Sequence, residues 1–96
     1  SLSPREILQL QADVVKATRT ATRLYPNNPV LHGRLAEASA EMSMFRDAAD
    51  EANEALRLDA LTPHADKKLP ESMRHRLQEN LPKWTERSAG SPQVPL

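Results

Sequence analysis

Apolar positions in the opening third of the chain recur at steps of three and four, the spacing that lines one face of an α-helix. Ile7, Leu10, Val14, Ala17, Ala21 and Leu24 form this run and predict one buried stripe on a helix from Pro4 to about Leu24. Its start is densely signalled. Ser3 can cap, Pro4 suits the first helical position, Glu6 completes an S-x-x-E box, and Leu2 and Ile7 are spaced as a hydrophobic staple. Lys16, Arg19 and Arg23 add positive charge toward the end where the helix dipole favours it.

The segment Tyr25 to Asn28 ends that helix, because Pro26 disfavours helical geometry at Tyr25 and the asparagines accept turn conformations. Asn28 then caps a second helix that begins at Pro29 and runs to about Met42. Leu31, Leu35, Ala38 and Met42 make its inward stripe, and Arg34, Glu37 and Glu41 its polar side. A turn at Ser43 and Met44 leads into a third helix whose buried positions are Phe45, Ala48, Ala49, Ala52, Ala55 and Leu56.

Beyond Leu58, Thr62 is placed to cap and Pro63 to begin a fourth helix. Pro70 would sit inside that helix, where a missing donor and a steric clash cost about 3 kcal/mol. The expectation is therefore a fourth helix ending near Leu69 and a fifth from Pro70 to about Asn80, with Met73, Leu77 and Leu81 as its apolar edge. Trp84, after Pro82, is expected to fold back over an exposed edge of the core. Residues 1–86 then make one helical domain, and 87–96 a flexible tail with no stripe to bury.

Small residues dominate the middle of this pattern. Leu35 beside Ala36, then Ala48, Ala52 and Ala55 followed by Leu56, Leu58 and Asp59, resemble one tetratricopeptide repeat (TPR). Several pairs stand 34 positions apart, the length of that repeat: Pro29 and Pro63, Ala21 and Ala55, Arg23 and Arg57, Leu24 and Leu58, Leu35 and Leu69. His32, Ser39, Ala52 and Ala60 replace the aromatic, large and proline residues usual in the family. The resemblance covers one whole repeat, the second helix of the repeat before it and a degraded start of the next. It implies an all-α fold of about five helices, stacked as antiparallel hairpins in a short right-handed superhelix that mediates protein association. A weaker likeness is to the repeat-bearing ends of bacterial membrane proteins of the O-antigen ligase type. That likeness implies an accessory domain of a membrane-associated enzyme.

Composition agrees with helices. Among the 96 residues there is one Phe, one Tyr and one Trp, so the core must be built from Ala, Leu, Val and Met, and alanine lets helix axes approach closely. The formal charge is zero, which argues against a nucleic-acid partner held by a strong positive field. Charge is uneven all the same, acidic between Ser43 and Leu61 and basic from Thr62 onward, as expected of solvated helix faces. No cysteine is present, which excludes disulfides, thiolate metal sites and a cysteine nucleophile. No apolar run approaches the roughly 18 to 20 residues of a membrane span. The chain begins at Ser1 rather than Met, which reads as a processed protein or an excised piece of a larger one.

The residue types carry little catalytic promise. Ser3, Ser39, Ser43 and Ser72 lack a nucleophile-elbow context, and Gly33 and Gly90 are the sole glycines, so there is no phosphate loop. Asp50 and Glu54 are four apart, common on a solvated helix. His64, Asp66 and His75 are the one set with metal-ligand chemistry and the basis of a competing reading as a small metal-binding catalytic domain. Their spacing, across a proline, works against a tetrahedral site. His32 reads as a half-buried structural residue.

The resemblance instead implies a peptide groove lined by first helices of successive repeats. Its residues here would be Val30, Gly33, Arg34, Glu37 and Glu41, joined by His64, Lys67 and Lys68. Arg34, Lys67 and Lys68 could together bind a carboxylate of a protein or peptide partner. The asparagines that complete the family's carboxylate clamp are absent. No metal or cofactor is implied. The unpaired first helix also points to self-association, or to contact with the rest of a parent chain, through the side carrying Ile7, Leu8 and Val15.

Overall fold

The computed structural model describes residues 1–90, which are all-helical. α1 spans Pro4–Leu24, α2 Pro29–Glu41, α3 Phe45–Leu61 and α4 Glu71–Gly90, with a 3-10 turn, Ala65–Lys67, between the last two. The helix starts form as their sequences dictate. Ser3 Oγ accepts from the Glu6 N–H at 3.2 Å while Glu6 accepts from the Ser3 N–H at 3.1 Å, and Asn28 Oδ1 accepts from the N–H groups of Val30 and Leu31. The α2–α3 turn closes as a Schellman motif: the Ser43 N–H donates to the Ala40 carbonyl and the Met44 N–H to that of Ser39. Ser43 takes the left-handed conformation, φ 59°, that glycine usually supplies in such a turn.

α2 is the central helix, buried on nearly every side except at Arg34 and Glu41. On one side it meets α3 and α4 around Ala36, Ala48, Ala52, Ala55, Leu69, Met73, Leu77 and Trp84. On the other, Leu35 and Ala38 meet Val15 of α1 in a much smaller cluster. Gly33 sets the approach of α4: a Cβ there would lie 2.7 Å from Met73 Sδ and 3.3 Å from a Leu77 methyl. A side chain at this position would have to displace Met73, so glycine permits the observed close approach.

Three sequence expectations are corrected. Four α-helices are present among the described residues, not five. The stretch from Pro63 to Leu69 holds only the 3-10 turn, and Thr62, instead of capping a new helix, donates its hydroxyl to the Leu58 carbonyl at 2.7 Å and closes α3. Two prolines seven residues apart leave too little chain for an α-helix to nucleate.

The second correction concerns Pro82, which lies inside α4 without ending it. Continuing the helix costs about 3 kcal/mol at the proline. It also places Trp84 and Leu77 on one buried face. Burying an indole of roughly 150–250 Å² at about 25 cal/mol per Å² offsets that cost. Helix therefore continues through Gly90, past the expected boundary at 86, while residues 91–96 of the expected tail lie outside the described residues.

The third correction is the face of α1. Val15 and Thr22 are buried against α2, whereas Ile7, Leu10, Val14, Ala17 and Leu24, expected inside, are exposed. α1 is about 32 Å long and α2 about 20 Å, so the first ten residues overhang with nothing beneath them and all are exposed. Leu8 shares the Val15 side yet is 55% exposed for this reason.

Candidate functional site

The residues expected to line a peptide groove have diverse surroundings. Gly33 is covered by α4, and Glu37 is held by Arg76 of α4 through two hydrogen bonds, Nε at 2.7 Å and a second guanidinium nitrogen at 3.0 Å. That fork raises the Arg76 pKa by hydrogen bonding and charge attraction. Part of the expected groove face is thus occupied by the protein's own last helix. Arg34 and Glu41 are exposed on α2. Lys68 donates to the Asp59 carbonyl at 2.7 Å, a structural bond that ties the connection to the end of α3. His64 and Lys67 are exposed at the 3-10 turn.

Lys67 and Val30 do share a cleft. It has a volume of about 600 Å³ and opens where the loop after α1 faces the 3-10 turn, with Leu24, Tyr25 and Asp66 also on its walls. A second, smaller depression of about 340 Å³ lies between the Ser43–Asp47 turn and Arg87, whose guanidinium sits 5.1 Å from the Phe45 ring centre.

His32 is buried and structural. Its Nδ1 lies 2.5 Å from a Glu51 carboxylate oxygen, and its Nε2 lies 2.7 Å from the Pro26 carbonyl. The ring thereby joins the α1–α2 loop to α3. His75 is exposed and reaches only Glu71, at 3.8 Å. Among the described residues no three His, Asp or Glu side chains converge to hold a metal ion, so His64, Asp66 and His75 are not brought together. No helix among the described residues is long and apolar enough to cross a membrane.

Asp59 is a residue whose importance the sequence pattern missed. It is buried, accepts from the Leu69 N–H at 2.8 Å and pairs with Arg74 at 3.5 Å, so one carboxylate fastens both the connection and the start of α4. A signal was available: an acid in the last turn of a helix opposes the dipole and needs a compensating donor.

Among the described residues, exposed large apolar side chains are concentrated on α1. Ile7, Leu10, Val14 and Leu24 are 44, 51, 52 and 68% exposed. Together with Ala17 and the half-buried Ala21 they step by three and four in a strict seven-residue repeat, forming an apolar seam about 26 Å long that runs beside the face packed on α2. The seam ends at Leu24, on the wall of the larger cleft. Large contiguous apolar patches on a surface are places where partners commonly dock. No family model, curated protein or solved structure matches the chain.

Proposed function

We propose that this chain is a noncatalytic helical module for protein association. In this reading α2 and α3 are one TPR-like hairpin, α1 is the second helix of the unit before it, and α4 is the first helix of the unit after it, started late because Pro63 and Pro70 disallow an earlier one. The observation that carries the reading is the exposed seam on α1, a helix whose apolar surface exceeds what α2 can cover. Small residues at the α2–α3 contact and Gly33 under α4 support it, as close stacking of helix hairpins requires them.

The test separates docking from packing. Ile7→Lys with Val14→Lys places two charges on the seam. A docking face predicts that α-helicity is kept and that the melting temperature changes by no more than about 4 °C, less than a 1 kcal/mol loss would shift a domain of this size. A drop beyond about 10 °C would show that the seam holds the module itself together, and would remove the reading.

A further inference from the structure

Resting on that reading, we infer that the occupant of the α1 seam is a second copy of this chain, its α1 laid antiparallel across a two-fold axis between Val15 and Lys16. The seam is its own complement in that orientation. An axis at this level sets Ile7 against Leu24, Leu10 against Ala21 and Val14 against Ala17 of the other copy, and by symmetry the reverse. In the four central layers each large side chain meets a small one, which fills the space between closely approaching helices. A parallel pairing in register would instead set Ala17 on Ala17 and Ala21 on Ala21, leaving voids in those layers.

The coarse charge polarity of α1 agrees with the same orientation. Along α1, Glu6 and Asp13 lie in the first half, and Lys16, Arg19 and Arg23 in the second. Arg19 is engaged by Asp47 of α3 at 3.5 Å, which leaves Lys16 and Arg23 exposed. In the antiparallel pair the two helix dipoles oppose, and the acidic first half of each α1 runs alongside the basic second half of the other, although Lys16 and Arg23 lie on the flank turned away from the seam. Parallel pairing would align the two acidic halves with each other and the two basic halves with each other, with the helix dipoles side by side in the same sense. The ends agree as well. Leu2, exposed ahead of α1, falls about 7 Å beyond Leu24 of the other copy, at the level of the cleft walled by Leu24, Tyr25 and Val30.

Sedimentation equilibrium from about 5 to 500 µM, a range that brackets a weak two-helix contact, should show a monomer–dimer equilibrium that Ile7→Lys with Val14→Lys abolishes. Orientation is read by cysteine trapping, with no native thiol to interfere. Mixed Val14→Cys and Ala17→Cys chains should form the mixed disulfide several-fold in excess of either homodisulfide. Homodisulfides in excess would overturn the antiparallel arrangement. A wild-type chain that stays monomeric throughout, with the lysine variant still folded, would sink the second copy as occupant and leave the association reading standing. Unfolding of the lysine variant would remove both.

Discussion

α1 and α4 are helices of nearly equal length on opposite sides of the α2–α3 hairpin, and they meet it on very different terms. α4 lays Met73, Leu77 and Trp84 into a floor of alanines, is fixed at its start by Asp59 and carries an arginine fork to Glu37. α1 is richer in branched aliphatic residues yet buries only Val15 and Thr22 against the hairpin. The difference lies in the neighbour rather than in the helix. α4 finds a surface cleared by Gly33 and lined by small side chains, whereas α2 offers α1 a small cluster of Leu35 and Ala38 edged by Met42 and stops eight residues short of matching its length. Among the described residues the apolar packing of α1 is confined to its α2 side.

The strongest way to break this contrast is to truncate equivalent leucines. Leu77→Ala should destabilise the fold by about 3–5 kcal/mol, because the side chain is fully buried among residues that cannot collapse. Leu10→Ala should change the stability of the dilute monomer by no more than about 0.5 kcal/mol. Urea denaturation at low micromolar concentration measures both. Similar losses at the two positions would show that α1 is as firmly seated as α4.

Asp59→Ala comes next. The Leu69 N–H would be left buried without an acceptor and Arg74 without its partner, a loss of about 2–3 kcal/mol. Amide exchange should show faster opening across α4 with little change in α1. Uniform loss of protection along the chain would mean that the helices unfold only as one unit.

Much of this architecture is legible in the residues. Ser3, Pro4, Asn28 and Pro29 mark starts, and the observed first three helices begin where those signals place them or within the expected turn. The buried face of α1 was not legible, because this helix carries a second, lesser apolar arc beside the predicted stripe and only the position of α2 decides which is covered. Leu8, Ala12 and Val15 form the lesser arc, and Val15 lies in the core instead of on the face expected for self-association. The run of α4 through Pro82 depended on Trp84 finding α3, a long-range contact that local propensity does not contain. Likewise the engagement of Glu37 by Arg76, 39 positions away, removed one residue from the expected groove.

Between the two outer helices, Ser39 on α2 is fully buried and its hydroxyl has no hydrogen-bond partner. Ser39→Ala should stabilise the fold by about 1 kcal/mol by relieving that desolvation, with thermal melting as the readout. A loss of stability would mean that the hydroxyl is satisfied by bound water. The smallest effect concerns pH. Hydrogen bonds from Arg57 hold the Glu54 carboxyl below its ordinary value near 4.5, and the capping N–H of Ser3 does the same for Glu6. A lowered folded pKa gives stability that is fully present above about 4.5 and fades as pH falls through the lowered values. Both groups are close to solvent, so Glu54→Gln should only slightly flatten the acid limb of a melting-versus-pH curve, by the same amount with or without α1 paired.

The missing Cβ at Gly33 also bears on the chemical lifetime of the protein. The gap it leaves is filled by the thioether of Met73, a sulfur open to oxidation but shielded by burial. A sulfoxide would introduce a polar oxygen into this close contact and weaken the seating of α4 on α2. Met42 and Met44, both partly exposed, react sooner and at less cost to the fold. Peroxide damage should therefore run in two stages, a silent one at the α2–α3 turn and a later one at Met73, after which the last helix is less firmly seated.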